Sequence, residues 1–187
     1  LLPADGIYLA VSVEALHNAS LIQDDYQDND SFRRGNSSVW RAYGKDTAMC
    51  LVDLLISASY KSLALLKDKK HLSQLILKMH DAIGVTLEGQ MRDTAHSHGI
   101  DIKQTIEIAQ KKSGPLFALS LELPLICAGY LEDADIAFKA ACSFGAGYQL
   151  LDDIQDYDVD RKKKNNNLVC VIEQYYPTKE AINITID

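Results

Sequence analysis

Residues 24–28 read DDYQD and residues 152–156 read DDIQD, two copies of the pattern Asp-Asp-x-x-Asp. On a helix, Asp24 and Asp28 are four residues apart and share one face, with Asp25 beside them. Asp152, Asp156 and Asp153 repeat the arrangement. Like charges at this spacing repel by roughly a few tenths of a kcal/mol per exposed pair, and a bridging cation removes that cost. The donors are all oxygens, with no His or Cys inside either cluster, which suits Mg²⁺, or Mn²⁺, rather than zinc. Mg²⁺ keeps waters and takes one or two carboxylates together with phosphate oxygens, so each cluster asks for a phosphate to complete it. One such motif reads equally well as a solvated helix end. Two copies, each following an apolar helical run, favour metal and phosphate chemistry.

Other residues near these clusters carry suitable chemistry. Arg33 and Arg34 follow the first motif and could clamp phosphate oxygens or simply balance charge; the aspartates favour the clamp. His17 lies about two turns upstream of Asp24. A histidine in so apolar an element is more often a satisfied core residue than a ligand. Lys112 and Ser113 precede a Gly-Pro pair. Tyr148 and Gln149 precede the second motif.

Long helices must position these groups. Apolar residues at Ile7, Ala10, Val11, Ala15, Leu16, Ala19 and Ile22 predict a helix over 5–28, with Asp5 as N-cap. Residues 29–40 read as a polar loop. Further helices are predicted over 45–67, 71–98, 100–112, 116–130 and 132–156, with a turn at 68–70. Ser113-Gly114-Pro115 reads as a break. Gly89, inside the third helix, suggests close packing or a kink. His96 and His98 read as solvated residues at that helix's end. Residues 157–167 read as a flexible loop, either solvated or a lid over phosphate, and the tail 168–187 has no assigned structure. Both acidic clusters therefore fall at helix C-termini, where carboxylates oppose the helix dipole and metal would compensate. Two such helix ends could face each other across a cleft.

Composition narrows the class. The chain has 187 residues, enough for one domain or most of one, with one Trp and four Phe. The core must be mostly Leu, Ile, Val and Ala. The net charge of −7 argues against a nucleic-acid partner. Cys50, Cys127, Cys142 and Cys170 have no metal-ligand spacing and read as buried free thiols of a reducing, cytoplasmic compartment. No run reaches the roughly 18 apolar residues of a membrane span, so an integral membrane protein is not expected. Neither a P-loop nor a GxGxxG sequence is present.

The segment HNASLIQDDYQDNDSFRRG, the Gly89-Gln90 pair followed by Asp93, Lys112-Ser113, and Tyr148-Gln149 ahead of DDIQD together resemble the trans-isoprenyl diphosphate synthases, or polyprenyl synthetases. The first segment is most similar to geranylgeranyl diphosphate synthases. The resemblance runs from about residue 10 to residue 156. It implies an all-α isoprenoid-synthase helical bundle around a central cavity. It implies head-to-tail condensation of isopentenyl diphosphate with an allylic diphosphate. Asp24, Asp25, Asp28, Asp152 and Asp153 would hold Mg²⁺ on the allylic diphosphate, with Asp156 in support. Arg33 would bind the allylic diphosphate, while Arg34 and His17 would bind isopentenyl diphosphate. Lys112, Ser113 and Gln149 would lie near the allylic group and its developing cation. A homodimer is also implied.

The departures are specific. The family's upstream Gly-Lys-x-Arg segment is absent, and the chain opens without Met. After the second motif the family carries Gly-Asp and then Gly-Lys-Pro; here the sequence is YDVDRKKKNNNLV, and none of Lys162 to Lys164 matches the family lysine. The expectation is a single domain over 1–187, incomplete at the N-terminus and beyond about residue 164. In the family, an aromatic at the positions of Ala19 and Ser20 closes the cavity early. Ala15 and Ser12 are small too, and Tyr8 is the next candidate floor. One helical turn of about 5.4 Å admits roughly one isoprene unit, so a product of about twenty carbons or longer is predicted. The alternatives are a class I terpene cyclase, a non-catalytic subunit of a prenyl synthase, or a prenyltransferase with another acceptor.

Overall fold

The computed structural model describes residues 2–95, 101–163 and 167–186. Among them the elements are α1 (Pro3–Gln27), β1 (Phe32–Arg33), β2 (Asn36–Ser37), α2 (Val39–Tyr43), α3 (Lys45–Ala64), α4 (Leu72–Ala95), α5 (Ile102–Ala128), α6 (Leu131–Gln155), α7 (Tyr157–Lys163), α8 (Leu168–Ile172) and α9 (Thr178–Ile186). The helical expectation holds, with one two-residue antiparallel ribbon added. The chain divides into two compact units. One is Leu1–Lys78 with Leu123–Leu131, and the other is Met79–Glu122 with Glu132–Asp187.

In the first unit, α1 packs on α3. Its buried positions are Asp5, Leu9, Ser12, Leu16, Ala19, Ile22 and Asp25, a stripe at three- and four-residue spacing. Serines are small enough to let the two backbones approach closely. The Ser12 hydroxyl donates to the Ser59 carbonyl at 3.0 Å, and the Ser62 hydroxyl donates to the Tyr8 carbonyl at 2.8 Å. Asp5 is not the N-cap of α1; Leu2 is, with Pro3 in the first turn. The Asp5 carboxylate is fully buried and accepts the Lys67 and Asp68 backbone N–H groups instead, tying the α3–α4 connection to α1.

α3 bears on the membrane expectation, although Asp53 and Lys61 interrupt its apolar residues. By length and composition it is apolar enough to cross a membrane, the one such helix among the described residues. It also supplies buried Ala48, Ser59, Ser62 and Leu63 to the helical packing, while Met49 and Leu54 are exposed.

In the second unit, α5 runs unbroken through Ser113-Gly114-Pro115, where the sequence predicts a break. Close approach to α6 explains the glycine. A Cβ on Gly114 would lie 3.1 Å from Cys142, and one on Gly145 would lie 2.8 Å from the Gly114 backbone. Gly89 serves α4 likewise, since a Cβ there would lie 2.7 Å from the Lys112 nitrogen. The stretch predicted as a loop begins with α7, and α8 and α9 follow. Tyr157, Leu168, Val169, Ile172 and Ala181 form a small core there, with Ile102 and Ile106 of α5 against it. His96, His98 and Lys164 lie outside the described residues. The thiols are not uniformly buried: Cys127 is buried, Cys142 and Cys170 are half-buried, and Cys50 is exposed.

Candidate active site

The first aspartate cluster ends α1. Asp28 is the C-cap, its N–H donating to the Asp24 carbonyl, and no basic residue occupies the last turn to offset the dipole. The three carboxylates are not equivalent. Asp25 completes the buried stripe of α1 and is 3% exposed, whereas Asp24 is half-buried and Asp28 exposed. Arg33 meets Asp25, with Nε and Nη2 each 2.7 Å from Oδ1. The pair balances the buried Asp25 charge.

The predicted polar loop after α1 is a tight hairpin. Asn29, at φ 55°, reverses the chain, and Arg33 pairs with Asn36. The two turn residues are Arg34 at φ 51° and Gly35 at φ 81°. Positive φ at both defines a type I′ turn, whose twist suits a two-residue hairpin. Glycine takes this conformation without strain and arginine does not. The turn therefore holds Arg34, exposed, at the hairpin tip. Behind it, the Trp40 indole donates to the Asp30 carbonyl at 2.8 Å. The Lys45 ammonium lies 5.0 Å from the Tyr26 ring centre and 5.6 Å from that of Trp40.

His17 is exposed on α1, not the core histidine that its apolar surroundings suggest. Ser20 is half-buried, its hydroxyl donating to the His17 carbonyl at 2.8 Å. Ala19 is buried in the stripe whose Ser12 faces α3.

The second cluster ends α6. Asp153 is 6% exposed, Asp152 half-buried and Asp156 exposed, so the middle aspartate is again the buried one. Asp153 Oδ2 accepts the Leu168 backbone N–H at 2.8 Å, and Gln149 Nε2 donates to Oδ1 at 3.3 Å. The Ser113 hydroxyl in turn donates to Gln149 Oε1 at 3.2 Å. Burial pushes the Asp153 carboxyl up to about 6, against the lowering effect of the Leu168 and Gln149 hydrogen bonds. Beside Ser113 on α5, the Lys112 ammonium donates to Asp93 Oδ2 of α4 at 2.8 Å. The packing of Gly89 against Lys112 makes that pair possible, which gives the Gly-Gln and Asp93 signature a structural reason.

Sequence reasoning misses several contributors. It assigns Asp93 no partner, and it does not single out Tyr26, Trp40 or Lys45. It also passes over Asn167, although a polar residue directly before the apolar run LVCVI is a helix-start signal. Asn167 Oδ1 caps α8 by accepting from Val169 N and Cys170 N.

Among the described residues, no group of three or more His, Cys, Asp or Glu is arranged to hold a metal ion. Each cluster instead presents an outer pair, Asp24 with Asp28 and Asp152 with Asp156. Two carboxylates plus phosphate oxygens are what Mg²⁺ takes, so the donor sets fit it.

The family profile for polyprenyl synthetase matches residues 3–175. The chain is 31% identical over 156 residues to a short chain isoprenyl diphosphate synthase of Methanocaldococcus jannaschii, covering 82% of this chain and 48% of that protein. It is 31% identical over 157 residues to a (2E,6E)-farnesyl diphosphate synthase of Mycobacterium bovis, covering 81% and 43%. The crystal structure of a geranylgeranyl pyrophosphate synthetase from Pyrococcus horikoshii superposes with a TM-score of 0.80 at 25% identity, covering 100% of this chain and 65% of that one. The chain belongs to the polyprenyl synthetase family and has its mostly helical isoprenoid-synthase fold. It spans about half the length of the curated relatives it matches.

Proposed function

We propose that the protein is a prenyltransferase that joins isopentenyl diphosphate head to tail to an allylic diphosphate, giving a trans-polyprenyl diphosphate of about twenty carbons or longer. The observation that carries this reading is the division within each Asp-Asp-x-x-Asp motif. The middle aspartate is buried against protein donors, and the outer two sit less buried at a helix end. Asp24, Asp28, Asp152 and Asp156 would hold Mg²⁺, with Asp25 and Asp153 fixing the geometry of their helix ends. When bound, Mg²⁺ supplies charge stabilisation for a leaving pyrophosphate.

The remaining groups fit the same chemistry. The allylic C–O bond breaks with its electron pair leaving on pyrophosphate. The isopentenyl double bond attacks the resulting cation, and a proton is lost to pyrophosphate. Arg33, Arg34 and His17 would bind the diphosphates. Lys112 would place a positive charge near the allylic diphosphate, with Asp93 orienting it. Ser113 and Gln149 present weakly polar groups that stabilise a cation without trapping it. Ala19 and Ser20 are the proposed determinants of product length, and a homodimer is the proposed assembly.

The test uses the full-length protein with Mg²⁺, labelled isopentenyl diphosphate, and dimethylallyl, geranyl or farnesyl diphosphate in turn. The expected result is a product ladder ending at about twenty carbons or beyond. No isopentenyl incorporation with any primer would overturn the reading; hydrocarbon formed from a prenyl diphosphate alone would identify a cyclase.

A further inference from the structure

The junction between α6 and α7 falls inside the second motif. α6 ends at Gln155 and α7 begins at Tyr157, which leaves Asp156 at the bend. A helix end leaves its last carbonyls needing donors from outside. The Asp152 carbonyl accepts the Asp156 N–H at 2.8 Å. The Asp153 carbonyl accepts a side chain, Asn167 Nδ2, at 2.7 Å. The same Nδ2 donates to Asp160 Oδ2 at 2.9 Å. Asp160 is itself hooked to the bend, its N–H donating to the Asp156 carbonyl at 2.9 Å.

Asn167 thus grips the chain on both sides of Asp156. It is 1% exposed, and its other polar side-chain atom, Oδ1, caps α8. One amide joins the end of α6, the first turn of α7 and the start of α8. We infer that Asn167 is a positioning residue for the second aspartate cluster: by bridging the α6–α7 bend it sets the spacing of Asp152 and Asp156 for a divalent cation. This inference rests on the metal-binding role proposed above for those two residues. The cap and the bridge use different atoms of one side chain, so substitution can separate them.

Asn167→Ser keeps an oxygen able to cap α8 but removes the amide nitrogen that makes both bridging bonds. The probe is Mn²⁺ with inorganic pyrophosphate, added to the full-length protein and followed by loss of the free Mn²⁺ resonance signal. Removal of a residue that orients metal ligands weakens metal binding by about tenfold or more. Asn167→Ser is therefore expected to bind Mn²⁺ about tenfold more weakly, and Asp152→Ala is the reference for loss of a ligand. Wild-type affinity in Asn167→Ser alongside loss in Asp152→Ala overturns the inference and leaves the metal assignment standing. Wild-type affinity in both overturns the two together. If the serine variant does not fold, Asp160→Ala removes the α7 acceptor of the bridge without altering the α8 cap. Its binding, measured at about 0.3 M salt to screen bulk charge, is expected to weaken several-fold; wild-type affinity there overturns the inference.

Discussion

Arg33 places both Nε and Nη2 2.7 Å from one carboxylate oxygen of Asp25, joining the hairpin after α1 to the end of that helix's buried stripe. Asp25 is almost wholly buried while Arg33 is about one-third exposed, so Asp25 depends more on the pair than Arg33 does. Arg33→Ala is expected to cost about 1–3 kcal/mol by leaving a buried carboxylate without that partner. In Asp25→Ala/Arg33→Ala the two effects should not add. Thermal denaturation of wild type, both single variants and the double variant checks this, and full additivity would refute the coupling.

The outer aspartates carry a different expectation. Asp24→Ala or Asp152→Ala should lower turnover at least about 100-fold, with little change in melting temperature because neither is in the buried core. Asp25→Ala should lower the melting temperature as well. Steady-state kinetics beside thermal melts separates the two kinds of residue; wild-type turnover in Asp24→Ala or Asp152→Ala would defeat the metal assignment.

Two glycines are required by close approach. A Cβ at Gly89 would meet the Lys111–Lys112 backbone at 2.7–2.9 Å, and one at Gly145 would meet that of Gly114 at 2.8 Å. Alanine improves helix propensity by up to about 1 kcal/mol, but overpacking against backbone costs about 1–3 kcal/mol. Net destabilisation is expected for both Gly89→Ala and Gly145→Ala. Denaturant melts decide the sign, and unchanged or increased stability would show that the helices separate easily. Gly147, with no atom within 4 Å of its would-be Cβ, is the control.

The raised Asp153 carboxyl has a definite pH consequence. Its ordinary value of 3.8 rises to about 6 in the folded chain. Between these values the folded state holds more proton than the unfolded state, so this group's contribution to stability falls as pH rises. The loss is complete about one unit above pH 6 and amounts to about 3 kcal/mol. In metal-free buffer, Asp153→Asn should therefore gain stability relative to wild type between about pH 4 and pH 7.5. Chemical denaturation at both pH values tests this; a constant difference would show that the buried carboxyl is not shifted.

Product length should respond to bulk on α1. Ala19→Phe and Ser20→Phe are each expected to shorten the product by about one isoprene unit or more. They should differ in stability. Ala19 is 3% exposed, so a ring there overpacks the buried stripe, whereas Ser20 is only half-buried. Sizing the dephosphorylated products beside thermal melts checks both, and an unchanged product from both variants would remove these positions from the cavity wall.

The long helices are legible in sequence because their apolar residues repeat at helical spacing, from Ile7 to Ile22 on α1 and from Ala48 to Leu66 around α3. The paired aspartate motifs are legible too, since their residue types and spacing stand in the sequence itself and favour hard cations and phosphate over zinc. Ser113-Gly114-Pro115 reads falsely as a break because Gly and Pro ordinarily interrupt helices, whereas here close packing on α6 requires the glycine. The run after Asp156 reads falsely as a loop because its polarity hides a short helix whose neighbour α8 is capped by Asn167.

The sequence by itself determined the helical class, the two acidic clusters and the family to which they belong, because these follow from residue type and local spacing. Only the tertiary structure decided which aspartate of each motif is buried. That depends on partners beyond the motif itself: Arg33 reaches Asp25 through a hairpin turn, and Leu168 reaches Asp153 across the α6–α7 bend. Local spacing fixes which face of a helix a carboxylate occupies, but the packing of distant segments fixes how deeply it is buried.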